Sequence, residues 1–276
     1  MRLILLTVLT MCAFAANSVL TRAAVEGGHL GPGAFSILRV AAGAAMLGGI
    51  AAWRGISVPL LRRARLPGAI SLTAYMVGFS LAYLTLDAGL GALILFGVTQ
   101  ITMFTHGAVT GQPPTTRQLC GAGIAFAGLL LVLWPGAGSV ADPLGAALMV
   151  LAGVGWAVYT IAGRGAADPL AATGANFILC LPLLTVLLIG SDLSGDWWGV
   201  VLALFCGAVT SGLGYALWYN VLRQMQGATA AIVQLSVPVI AILAGAVLLG
   251  ETVPLVVMLA AGLVVGGIGW AVTAKR

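Results

Sequence analysis

A chain of 276 residues that is 61% hydrophobic and only 7% charged cannot be a soluble domain, in which about a quarter of residues are charged. The formal net charge of +5 lacks the basic stripe with interleaved aromatics that nucleic-acid binding needs; basic loops held on one side of a membrane account for it. The 39 glycines, about twice the average usage of ~7%, suit helices that bring their backbones together in a bilayer.

Ten apolar spans are predicted, at 3–22, 32–52, 67–86, 89–110, 119–135, 144–163, 171–190, 198–220, 228–249 and 254–273. Each is near the ~20 residues that cross a bilayer. The first opens like a signal peptide, with Met1-Arg2 and an apolar run ending in Ala13-Phe14-Ala15. The run continues through Leu20, so it reads as a spanning helix. The connections are short and often carry Pro or Gly: His29-Leu30-Gly31-Pro32, Pro113-Pro114, Pro135 to Gly138, Asp168-Pro169, and Asp192 to Asp196. The longest, Arg54 to Arg65, is basic.

This segmentation sorts the charges. Arg2, Arg54, Arg62, Arg63, Arg65, Arg117, Arg164, Arg223, Lys275 and Arg276 fall on one face. Glu26, Asp87, Asp142, Asp192, Asp196 and Glu251 fall on the other. Only Arg22, Arg39 and Asp168 break the pattern. Lys and Arg concentrate on the cytoplasmic side, so both termini are expected there. Five spans per half then force the halves into opposite orientation. The predicted class is an all-α membrane protein of two inverted five-helix repeats, residues 1–137 and 138–276. Weak internal matches keep a common order. Phe14 to Arg22 has the spacing of Trp156 to Arg164, and Phe35 and Phe177 follow at the same offset. Gly107-Ala108-Val109 matches Gly245-Ala246-Val247, and Trp134 and Trp270 close helices 5 and 10. Inverted repeats let a protein open to either side with nearly equal energy, as secondary transporters do around a midplane site.

Phe14-Ala-Ala-Asn17-Ser18 with Arg22, Pro32 with Phe35-Ser-Ile-Leu-Arg39, Gly155-Trp156-Ala157 with Tyr159, and Pro238 before Leu249-Gly250-Glu251 resemble the drug/metabolite transporter superfamily and its EamA-type members. Within it the chain looks closest to bacterial aromatic amino acid exporters. The resemblance implies ten helices, a central cavity, and export of aromatic or neutral amino acids and related small metabolites across the inner membrane without ATP. A monomer is expected, with a small molecule and the bilayer as its partners. A lipophilic-cation exporter is the nearest rival and would want a buried carboxylate. An intramembrane lipid-modifying enzyme would need clustered polar groups near one interface.

Two ionisable groups are placed well inside the membrane, where charge is expensive and functional by default: Arg39 and His106. Arg39 lies about 10 Å deep at ~1.5 Å per residue, level with Asn17 of helix 1. The pair is expected to bind a substrate carboxylate or hold an outer gate; the alternative is an Arg39 that snorkels out to Glu26. His106 reads as a proton-sensitive or substrate-binding group, or as a neutral histidine bonded to a neighbour. Tyr75, Trp156, Tyr159 and Tyr215 are expected as aromatic walls of a cavity. Trp53, Trp197 and Trp198, and also Trp218 and Tyr219 near the inner end, read as interfacial belt. The mid-span amides Gln100 and Gln234 serve either substrate or interhelical bonding; Gln100 is taken as a substrate contact. Gly97 and Pro238 are candidate hinges, with a static kink as the alternative at Pro238. No Asp or Glu lies deep in any span, which predicts facilitated, uncoupled flux. Cys12, Cys120, Cys180 and Cys206 read as free thiols in the packing. No catalytic residue, cofactor or metal is expected, and Walker-type, HExxH and GxSxG motifs do not occur.

Overall fold

The computed structural model describes residues 1–60, 65–111, 115–133, 141–187, 190, 193–224, 230, 233–234 and 236–272. Trp134, the Pro113-Pro114 and Pro135 to Gly138 turns, Arg62, Arg63, Asp192, Lys275, Arg276 and the repeat boundary at 137/138 lie outside the described residues. The described residues form ten helices and no strands: α1 (Arg2–Val25), α2 (Pro32–Trp53), α3 (Leu66–Ala82), α4 (Ala88–Val109), α5 (Thr116–Leu133), α6 (Pro143–Gly163), α7 (Pro169–Leu187), α8 (Trp197–Leu222), α9 (Ser236–Leu248) and α10 (Leu255–Val272). Among them α1, α2, α4, α6 and α8 are long and apolar enough to cross a membrane, and α3, α7, α9 and α10 are shorter apolar helices.

Local chemistry sets the helix ends. Prolines sit in the first turns of α2, α3 and α6, where a missing N–H loses nothing. Asp142 and Asp196 are N-caps that accept from Gly145 and Gly199 at 2.7 and 2.9 Å, and Asp168 accepts from Ala171 at 3.0 Å. Asp168 therefore sits on the basic face as the cap of α7. Within the spans, Thr10, Thr73 and Thr99 donate to carbonyls four residues back, so their hydroxyls are bonded without water. α8 departs from the predicted single regular helix. It is α-helical over Trp197–Phe205, π-helical over Cys206–Leu213 and α-helical again over Gly214–Leu222. Extra π-helical turns often mark functional segments.

The packing centres on α1, α3, α6 and α8. α3 lies against α6 and α1 against α8; α4 lies against α6 and α1 against α9; α3 lies against α7 and α2 against α8. α2 also meets α7, and α5 pairs chiefly with α10 at the periphery. Glycine allows the closest approaches. A Cβ at Gly155 would fall 2.8 Å from the Ser71 carbonyl oxygen of α3, and one at Gly207 would strike the Arg39 carbonyl of α2.

Five acids gather at one end of the bundle. Arg22 Nη2 lies 3.4 Å from Asp87 and 3.9 Å from Glu26, and Arg22 Nε lies 3.7 Å from Glu251. Thr85 donates to Asp142 at 3.2 Å, and His29 contacts Asp196 at 2.8 Å. Arg22, an exception to the charge pattern, is thus the cation that this end needs. Glu251 also accepts from the Ala88 amide at the start of α4. Burial pushes its carboxyl above the usual range. Arg22→Gln is expected to lower stability by about 1–2 kcal/mol at neutral pH, between the values for exposed and buried pairs. The penalty comes from ionised Glu251 without a cation, so it shrinks as pH falls through the raised Glu251 value. Melting curves of both proteins in detergent at neutral and mildly acidic pH check this.

The same end is closed by a clasp between two connections. Gly31 N–H donates to Ser194 C=O, Asp196 N–H donates to His29 C=O, and Leu30 pairs with Gly195 as an isolated antiparallel bridge. The His29 hydrogen bond, and then the Gly199 amide, hold the Asp196 carboxyl below its ordinary range.

Candidate functional site

Arg39 of α2 is fully buried at the centre of the bundle. It does not snorkel to Glu26, whose cation is Arg22. The guanidinium turns inward instead. Its Nε donates to Ser211 Oγ at 2.7 Å, and its Nη2 donates to the hydroxyls of Tyr215 and Tyr75 at 2.8 and 3.2 Å. The two hydroxyls bond to each other at 3.0 Å. Phe79 and Tyr75 lie over the cation with ring centroids 5.0 and 5.6 Å from Cζ.

Asn17 of α1 reaches the same cluster through Ser211. Its Oδ1 accepts from Thr210 at 2.7 Å, Ser211 at 3.0 Å and Cys206 at 3.3 Å, and its Nδ2 donates to the Thr210 carbonyl. The π-helical segment supplies all three donors. Its wider turn gives α8 the register that presents Cys206, Thr210 and Ser211 to α1 and α2 together. Cys206 is a buried free thiol, as its apolar run suggests, but it also belongs to this network.

The aromatic residues build one box. Trp156 lies 5.3 Å from Tyr75, 4.8 Å from Tyr215 and 5.1 Å edge-on from Phe14. Tyr159 stacks on Trp156 at 5.5 Å and on Tyr219 at 5.1 Å. The Trp156 indole donates to Gln234 Oε1 at 3.1 Å, which gives that amide an interhelical role. A cavity of about 10 Å³, room for roughly one water, lies between Phe14, Asn17, Tyr75, Phe79, Trp156 and Tyr215. The box is closed around itself in this conformation.

Six predicted residues therefore meet: Asn17, Arg39, Tyr75, Trp156, Tyr159 and Tyr215. Gln100 and Gly97 are buried in α4 outside that set. His106 is corrected: it lies in the last turn of α4 and is exposed, not buried. Trp218 and Tyr219 are corrected as well. Neither is belt; both are fully buried, Trp218 edge-on to Phe14 at 5.6 Å and Tyr219 donating to the Tyr159 carbonyl. Trp53, Trp197 and Trp198 are exposed, as belt residues are. Pro238 is buried near the start of the described α9 segment. The residues that sequence reasoning missed are Phe14, Phe79, Thr210 and Ser211. Thr210 and Ser211 show in the sequence as adjacent hydroxyls in an apolar span, and Phe14 as the start of the first motif.

Residues 143–273 match the EamA-like transporter family. The chain is 44% identical over 259 residues to the uncharacterized protein PA1977 of Pseudomonas aeruginosa, covering 91% of this chain and 87% of that one. It is 27% identical over 214 residues to an uncharacterized transporter of Archaeoglobus fulgidus, covering 76% of each. A solved crystal structure of a protein aligns over 97% of this chain and 98% of its own, with TM-score 0.72 and 18% identity, which shows a shared fold. With this match over a bundle of apolar helices, the chain is a multi-pass membrane protein that carries an EamA-like transporter domain, and belongs with transporters of small molecules, not with enzymes.

Proposed function

We propose that this protein exports aromatic or neutral amino acids and related small metabolites across the bacterial inner membrane by alternating access. The observation that carries this reading is the buried aromatic box around Arg39, Tyr75 and Tyr215. Rings hold an aromatic side chain by area and edge contacts, and a guanidinium is the natural partner of a carboxylate. A cationic drug would meet Arg39 as a like charge, which disfavours the rival exporter.

Two further observations support the mechanism. The packing pairs exchange with one another when each helix is replaced by the one five places along: α3 with α6 becomes α8 with α1, α4 with α6 becomes α9 with α1, and α3 with α7 becomes α8 with α2. This exchange supports the reading of two like halves, 1–137 and 138–276, which an odd number of spans per half would set in opposite orientation. The acid-rich end, closed by Arg22 and the loop clasp, then faces outward, and both termini face the cytoplasm. Opening there separates α1 from the connection that bears Glu251, with Gly97 and Pro238 as the hinges. Secondly, no acid lies inside a described helix span, so the protein runs as an uncoupled facilitator with no buried carboxylate relay.

Proteoliposomes of the purified chain loaded with radiolabelled tryptophan test the reading. Saturable efflux above empty vesicles, unchanged by an imposed pH gradient, is expected. Concentrative, gradient-driven movement would remove the uncoupled mechanism, and no flux of any aromatic carboxylate would remove the transport reading.

A further inference from the structure

The balance of donors and acceptors around Arg39 specifies the charge of the substrate. Arginine stays protonated in proteins, so the fully buried guanidinium is a fixed cation. Its partners are all neutral: Ser211, Tyr75, Tyr215 and the face of Phe79. Among the described residues it forms no ion pair, and its Nη1 has no acceptor. Tyr75 already accepts from Arg39 and Tyr215, so its own hydroxyl proton also needs an acceptor, and Tyr75 lines the cavity. Asn17 Oδ1 already takes three donors and Gln234 Oε1 takes the Trp156 indole, and the Ser18 hydroxyl on the cavity wall brings a donor of its own with any bond it accepts. The site has surplus donors and one uncompensated positive charge. Every Asp and Glu among the described residues stands at a helix end or in a connection, and Asp192 follows α7 in sequence.

An unpaired charge in a dry interior is unfavourable, and a carboxylate on a guanidinium is among the strongest ways to answer it. An amino acid answers it only in part. Its carboxylate suits Arg39, but its ammonium enters beside the guanidinium with no carboxylate to receive it, and the net charge of the core is unchanged. A monoanion cancels that charge and supplies two acceptor oxygens without a second cation. We propose that the preferred substrate is a monoanionic aromatic carboxylate without an ammonium group, an aryl 2-oxo acid for instance, over the matching zwitterionic amino acid. This rests on the reading of the aromatic box as the transport site.

The test uses the full chain in proteoliposomes with radiolabelled phenylpyruvate and phenylalanine, each corrected for empty vesicles, and with phenethylamine as competitor. The three share a phenyl ring, phenethylamine being phenylalanine without its carboxylate, and carry one negative, no net and one positive charge. A kcat/KM at least about tenfold higher for phenylpyruvate is expected, with no competition from phenethylamine. Arg39→Gln should abolish the preference, while Arg39→Lys keeps part of it. Phenylalanine carried as well as or better than phenylpyruvate overturns the proposal and leaves the transport reading standing. Saturable flux of neither overturns both. A folded Arg39→Gln protein that keeps the preference also overturns it; if that variant does not fold, the wild-type ratio decides alone.

Discussion

Asn17→Leu should lower the stability of the bundle by about 2–4 kcal/mol, because buried donors that lose their acceptor cost ~1–3 kcal/mol each. The side chains are similar in size, so the change removes hydrogen bonds more than volume. Thr210 has a second acceptor in the Cys206 carbonyl at 3.0 Å, and so suffers least. Ser211 and Cys206 lose their bond to Oδ1, and Ser211 is the link to Arg39 Nε. Asn17→Asp is the informative companion. It keeps the acceptor for all three donors, gives up the weak 3.4 Å donation to the Thr210 carbonyl, and brings a carboxylate whose burial is offset by Arg39 one serine away. Its melting temperature should lie nearer to the parent than that of the leucine variant. Thermal unfolding of the three proteins in one detergent ranks them. A leucine variant as stable as the parent would mean that this network does not hold α1 to α8.

Much of this arrangement was legible because charge is scarce in the chain. Apart from Arg39 and Arg22, the few Lys, Arg, Asp and Glu residues stand at or near the ends of the spans, so sorting them recovers the spans, and among the described residues each predicted span holds one helix, the ninth being described as a helix from Ser236. Arg39 stood out by depth alone. Trp156 with Tyr159, and Tyr215 with its neighbours, were legible as ring pairs at helical spacing. What sequence could not supply was direction around each helix axis. In a soluble helix the polar face reveals the core, but a helix in lipid is apolar on both sides. That is why composition alone places Trp218 and Tyr219, near a helix end, in the belt, and His106 inside. The π-helical segment was hidden for a different reason: a wider turn changes hydrogen-bond register without changing composition. The register decides the site, since it brings Ser211 to Arg39 and Thr210 to Asn17.

Gly207→Val should be the most damaging single change in this segment. A Cβ at Gly207 would strike the Arg39 carbonyl oxygen and lie 2.8 Å from the Arg39 carbonyl carbon and Cα. These are backbone atoms, so no rotamer change relieves the clash; α2 and α8 must separate. Overpacking of this kind costs about 1–3 kcal/mol, and a branched side chain belongs at the upper end. The separation also falls on the residue that carries Arg39, whose bonds to Ser211 and Tyr215 at 2.7 and 2.8 Å have no slack for a shift of an ångström. Gly207→Val should therefore lose both melting temperature and aromatic carboxylate flux. Gly262→Ala in α10 is the contrast, because a Cβ there meets nothing within 4 Å and alanine favours the helix by ~1 kcal/mol. Melting curves and flux measured on both variants separate a specific contact between α2 and α8 from a general intolerance of larger residues. If Gly207→Val melts and transports like the parent, close packing of α8 on α2 is not what orients Arg39. If only Gly207→Val fails, the glycine in the π-helical turn is what allows a buried cation, two tyrosines and an asparagine from four helices to share one site.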